Sequence, residues 1–407
     1  MRRSSRPMRA TMTIAAIAAL TGLTACSSSP TDAGDKTDTA QKTTSKIGIT
    51  LKSGGSGDTC DIDSTTAHAG PVTFTVTNKN STAITEVELQ SDQRILGEKE
   101  NLAPGLKPVS FTVTLDGGKY QIYCPNAEKQ MQTLTVTGKA AKPTGSTHAL
   151  LKQGTKGYAK YVSAQVASMK DAAATLEKKI DEGDLAGAKA EYAKARPFYE
   201  HIESDVDGFV LPGFKATDNK GNLDYLIDMR ASNLDKSAGW HGFHAIERDL
   251  YKRGAITDQT KRYAAELTKN ATTLVGVAKK LQYKPEDLAN GAAALLEEVQ
   301  SSKIKGEEER YSHLDLVDFA ANVEGAQEAF AELKPGLKKI DAGLTKRIAA
   351  QFDTVNSMLD AYRDSDATGG YKSYTPALRH KNANKLSQTV QALQDPLSHL
   401  AEKVASA

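Results

Sequence analysis

A chain of 407 residues that sets 52 Lys and Arg against 50 Asp and Glu carries a formal net charge of only +2. That balance excludes a bulk electrostatic pull toward nucleic acid or another polyanion. The length leaves room for roughly two or three domains, each with a core of its own.

The amino terminus, residues 1–26, reads as a targeting segment and stands outside the fold. Arg2, Arg3, Arg6 and Arg9 form a basic start, and residues 12–23 form an apolar run too short to span a membrane as a mature helix. Leu23-Thr24-Ala25-Cys26 then matches a lipobox. The segment resembles those of bacterial lipoproteins, in which cleavage before the cysteine is coupled to lipidation of its thiol. Residues 27–45, rich in Ser, Thr, Asp and Lys, read as a disordered tether. The mature chain is therefore expected outside the cytoplasm, held to the membrane through Cys26. Setting Cys26 aside leaves Cys60 and Cys124, an even pair in an oxidising compartment, where a disulfide is the default.

Residues 46–138 are written in period two. Val72, Phe74 and Val76; Val109, Phe111, Val113 and Leu115; Tyr120 and Ile122; and Leu134 and Val136 alternate with polar residues between Gly, Pro and Asn punctuation, which predicts a small β-sandwich. Ala103-Pro104-Gly105, a long strand, Asp116-Gly117-Gly118-Lys119-Tyr120 and a strand ending at Cys124 together resemble the cupredoxin fold. A blue-copper site needs two His beside the Cys. Here His68 is the only His in the domain, so copper electron transfer is not expected. Two readings stay open for Cys60 and Cys124: a disulfide staple, or a second divalent-metal or copper site drawing on acids such as Asp61, Glu86, Glu88, Glu98 or Glu100.

Residues 139–150 form a linker, and beyond it the period becomes 3.6. Tyr158, Val162, Val166, Met169, Ala173, Leu176 and Ile180 make one apolar stripe ending at Gly183, and Asp184 caps a second helix with Ala188, Tyr192, Ala195, Tyr199 and Ile202 inward. Further helices are predicted over about 235–251, 258–281, 285–301, 315–333, 336–363 and 376–405. Long amphipathic helices with short connections predict an all-α antiparallel bundle over residues 151–407, behind the β-domain.

Two helix faces attract attention. His241, His244 and Glu247 recur at three-residue spacing, a ladder of two imidazoles and a carboxylate if the segment is helical. Glu200 and Glu203 form a second pair on a core-directed face, where a carboxylate wants water or a cation. Other acids have ordinary readings: Asp228 as a local salt bridge with Arg230, Glu307 to Glu309 as a solvated charge run, and His313 as a cap for the helix near Asp315.

These stretches, together with residues 221–230, 302–316 and 319–326, resemble the imelysin-type helical domain of the EfeO-type iron-uptake lipoproteins, which also carry an amino-terminal cupredoxin-like domain with two Cys. The resemblance implies a multi-domain protein that captures ferrous or ferric iron and delivers it to a membrane permease. It implies metal ligands at Glu200, Glu203, Asp228, His244 and Glu247, with a further downstream Glu at Glu324 or Glu309. His241 stands where relatives usually have Thr, adding an imidazole to the ladder. Asp61 replaces a common Glu, and Tyr123 stands where a relative can have Met. The partners implied are a ferrous iron permease and a haem-peroxidase-like component, and nothing catalytic is required of the chain. The alternative is an imelysin-type metallopeptidase using the His-x-x-Glu pair. Against it, the chain has no His-Glu-x-x-His, and Arg248 stands directly after Glu247, where the inverted motif needs His.

Overall fold

The computed structural model describes residues 44–407 apart from 92, 93, 207 and 216. The expected leader, Cys26 and nearly all of the tether lie outside the described residues.

The alternating segments form strands β1 (Ser45–Ser53), β2 (Asp58–Ile62), β3 (Thr66–His68), β4 (Gly70–Asn78), β5 (Val87–Ser91), β6 (Arg94–Lys99), β7 (Val109–Leu115), β8 (Gly118–Tyr123) and β9 (Met131–Thr137). They assemble into two sheets, ordered β2-β1-β4-β7 and β3-β9-β8-β5-β6. The apolar half of each alternation points between the sheets, where Phe74 stacks on Phe111 with ring centroids 4.9 Å apart. Cys60 on β2 and Cys124 beyond β8 are joined by a disulfide that ties one sheet to the other. Glu88 is buried: Gln90 donates to its carboxylate, and β6 and β8 flank β5.

The helical part comprises α1 (Ser146–Asp181), α2 (Leu185–Glu200), α3 (Glu203–Val206), α4 (Leu223–Asp228), α5 (Gly242–Glu247), α6 (Asp258–Ala278), α7 (Pro285–Glu298), α8 (Asp315–Ile340), α9 (Ala342–Asp360), α10 (Pro376–Leu397) and α11 (Leu400–Ala405). The α1 stripe from Tyr158 to Ile180 is buried throughout. Gly183 then takes φ of 72°, and the Asp184 carboxylate accepts the Gly187 N–H at 2.8 Å to start α2.

Several expected helices differ in their bounds. Over 235–251 only α5 forms before the chain widens into a π-helical turn at Arg248–Arg253, and a similar turn, Val299–Lys303, ends α7. The expected break near Pro335 is absent. Buried Phe330, Leu333 and Leu337 keep α8 packed across the lost hydrogen bond, and the chain breaks at Asp341, whose carboxylate caps α9.

The β-domain seats on α7. Thr114 N–H donates to Glu286 at 3.2 Å, Asn290 to the Thr112 carbonyl at 2.7 Å, and Lys99 pairs with Glu297 at 2.7 Å. This seating fixes the end of α7, from which Glu298 reaches the centre described next.

Candidate metal centre

The polar side chains of the bundle converge on one buried place. The end of α2 supplies Arg196 and Glu200, α3 supplies Glu203, and α4 supplies Asp228. Helix α5 brings His244 and Glu247, the π-helical turn after α7 brings Lys303, the following loop brings Glu308 and Glu309, and α8 brings Asp318 and Asn322. α5 can lie this close because of Gly242, which has φ of 63° and offers no Cβ where one would overlap the Ile227 carbonyl. π-Helical turns flank the site on both sides, widening the backbone where Glu247 and Lys303 project.

Asp228, His244 and Glu308 each offer one ligand atom, and these atoms lie within 4.8 Å of one another. His244 Nε2 stands 3.2 Å from Glu308 and 3.5 Å from Asp228, while its Nδ1 stands 3.4 Å from Glu247 and 3.9 Å from Glu309. Glu247 is in turn fixed by the backbone N–H groups of Tyr311 and Ser312, at 2.7 and 2.8 Å. Two further sets meet the same criterion, His244 with Glu247 and Glu309, and Glu200 with Glu308 and Asp318.

Carboxyl groups outnumber the cations that balance them. Arg196 pairs with Asp228, Glu200, Glu308, Glu309 and Asp318, and Lys303 with Glu200, Glu203 and Glu308. Arg230 adds pairs with Glu298 and Glu308. The surplus is settled by protons. Burial, and then Glu247, push the Glu309 carboxyl up to about 8. Burial also holds Glu203 and Asp318 well above the usual range, with Glu200 adding to both after the opposing pull of Lys303 and Arg196 respectively. Burial would raise Glu308 and Asp228 as well, but Lys303 and Arg230 hold the first low and Arg196 and His244 the second. Burial disfavours an imidazolium at His244, yet Asp228 keeps it protonated well above its ordinary range. Among the described residues, Asp318 Oδ1 and Asn322 Oδ1 are buried without a hydrogen-bond partner. These features together make the centre a candidate pocket for a cation.

Of the residues expected from sequence, Glu200, Glu203, Asp228, His244, Glu247 and Glu309 gather here. Glu324 does not: its side chain is 55% exposed and pairs with His201 at 3.0 Å. Asp318 and Asn322 point inward, and Glu324 lies two residues past Asn322, on the far side of α8. His241 precedes α5 in extended backbone, so the three-step ladder is broken, and it pairs with Glu266 at 2.9 Å. Asp228 bonds Arg196 rather than Arg230. Glu308 and Glu309 are buried rather than solvated. His313 does not cap α8; it has φ of 60° and its backbone carbonyl accepts Tyr374 N–H. Arg196, Lys303, Glu308 and Asp318 were not anticipated. The available signal was Arg196 itself, a charge between Tyr192 and Tyr199 within an inward stripe.

In the β-domain both sulfurs of Cys60 and Cys124 are taken by each other, which removes a thiolate site. Asp61 pairs with Lys52 at 2.7 Å. Glu86, Glu88 and Glu98 do come together, with ligand atoms within 4.8 Å, while Glu100 is exposed beyond β6.

Comparison with known proteins agrees with this layout. The imelysin family profile matches residues 154–400, and a cupredoxin-like domain profile matches residues 13–136. An "Efem/EfeO family lipoprotein" of Staphylococcus aureus strain MRSA252 is 41% identical over 254 residues, covering 62% of this chain and 84% of the relative. The same protein of strain NCTC 8325 is 40% identical over the same shares. Among solved structures, an iron-regulated protein A precursor of Parabacteroides distasonis aligns at 15% identity with a TM-score of 0.47, over 65% of this chain and 96% of that one. The chain belongs to the imelysin family, as an EfeO-type member whose helical domain follows a cupredoxin-like one.

Proposed function

We propose that this chain is an extracytoplasmic iron-binding lipoprotein that captures ferrous or ferric iron in its helical domain and delivers it to a membrane permease. The observation that supports this most is the Asp228, His244 and Glu308 set, three ligand atoms within 4.8 Å inside a buried surplus of carboxylate. Carboxylate oxygens with one imidazole suit iron and also accept Mn or Zn. A lipid on Cys26 would keep the chain beside the permease, and a haem-peroxidase-like component would complete the system. Among the described residues no helix is long and apolar enough to cross a membrane. The Glu86, Glu88 and Glu98 set would serve as a second site, for a hard divalent cation rather than copper.

A hydrolytic role is less well supported. A catalytic zinc site keeps a position open to water and substrate. Here His244, Glu247 and Glu308 are at most 2% exposed, and Glu247, which would act as base, already accepts two backbone N–H groups. Anaerobic calorimetry of ferrous iron into the chain lacking residues 1–26 tests the proposal. His244→Ala and Glu308→Gln are expected to weaken binding by about a hundredfold or more, against a Glu324→Ala control that leaves it intact. Equal binding by all four proteins would refute it.

A further inference from the structure

The centre is sealed almost everywhere. Glu200, Asp228, His244, Glu247, Glu308, Glu309, Asp318, Arg196 and Lys303 have side chains at most 2% exposed. The seal thins where Arg230, 17% exposed, meets Glu298, 11% exposed. Arg230 is also placed unlike the other cations. It begins the solvent-facing segment after α4, where its backbone N–H donates to Asn233 at 2.8 Å.

Arg230 holds the seam shut from both sides. Its Nη1 bonds Glu298 on the outside and Glu308 Oε2 at 3.2 Å on the inside. Glu308 Oε1 faces the opposite way, 3.2 Å from His244 Nε2, within the ligand set. The β-domain stands directly over this seam. Asn101 Nδ2 donates to Glu298 at 3.4 Å, and exposed Glu100 acts electrostatically on both Glu298 and Arg230.

We propose that Arg230 is the gate of the centre: a divalent cation enters and leaves at the seam between the two domains, past Glu298, and each passage requires the Arg230 guanidinium to let go of Glu308. This rests on the centre being a cation site. Glu298, which Arg230 and Lys303 keep ionised against its burial, draws the incoming cation to the mouth. Arg230 then swings outward, still paired with Glu298, and the cation takes its place against Glu308. The β-domain thereby helps to govern how fast the centre fills and empties, since it supplies one wall of the mouth.

A gate and a mere electrostatic neighbour differ in kinetics. Removing a nearby positive charge speeds association and slows release, because the bound cation is held more tightly. Removing a gate speeds both. The experiment is anaerobic stopped-flow on the chain lacking residues 1–26, following ferrous iron uptake and then its release to excess chromogenic ferrous chelator. Arg230→Gln is expected to raise both rates by about tenfold, in proportion to the charge-assisted hydrogen bonds that opening must break. Arg230→Lys, which keeps the positive charge but gives up the guanidinium's simultaneous hold on Glu298 and Glu308, is expected to raise both rates in the same direction. It decides the matter if Arg230→Gln fails to melt cooperatively by circular dichroism. Unchanged rates, or faster uptake with slower release, overturn the gate while leaving iron binding intact. A parent protein that takes up no ferrous iron overturns the proposed function and the gate with it.

Discussion

Glu309→Gln offers a sharp test of how the metal-free centre is balanced. Tyr192 Oη donates to the Glu309 carboxyl at 2.7 Å and Arg196 Nε at 3.1 Å, and glutamine can accept both bonds. Burial, reinforced by Glu247, holds the native carboxyl protonated up to about 8, against an ordinary value of 4.5 in the unfolded chain. Folding the glutamate therefore retains a proton that the unfolded chain gives up, so native stability falls as pH rises through this window. Glutamine, the uncharged isostere, escapes that loss. The variant should match the parent at pH 4.5 and gain on it by about 1.4 kcal/mol per pH unit until about pH 8, where the difference levels off. At pH 7 this is a stabilisation of roughly 3 kcal/mol, well beyond the usual surface effect. The assay is urea unfolding of chelator-treated proteins at half-unit pH steps, comparing midpoints. A variant less stable than the parent at pH 7, or a difference independent of pH, would refute the account of a proton-balanced, anion-rich centre.

The same balance makes iron binding release protons, from Glu309, Glu203 and Asp318 and from the His244 imidazolium. Calorimetry near pH 6.5 in two buffers of different ionisation enthalpy should give different apparent enthalpies, and affinity should rise with pH; identical enthalpies would exclude it. Gly242→Ala should cost roughly 3 kcal/mol or more and lower iron affinity, since the left-handed backbone and the overlap with the Ile227 carbonyl both push α5, and His244 with it, out of place. A variant that melts and binds iron as the parent does would show that α5 is not held by this close approach.

Local sequence by itself determined the architecture. The period-two runs predicted the sandwich and the 3.6-residue stripe from Tyr158 to Ile180 predicted α1, because burial of one face is written into the spacing of apolar side chains. It also offered Glu200, Glu203, His244 and Glu247 at helical spacing. It could not place His241 or Glu324, because a helix beginning one residue later, or a position two residues past an inward one, turns a side chain away. Nor could it show that Glu308 and Glu309 are core while Glu307 stays exposed. A charged run is ordinarily solvated, and Glu308 and Glu309 are buried only because Arg196, more than a hundred residues earlier, and Lys303 at the end of a π-helical turn meet them in space. Burying a carboxylate is decided by its counter-charges. Those come from distant segments, so the tertiary structure alone decided which acids form the centre, and that Arg230 and the β-domain stand at its mouth.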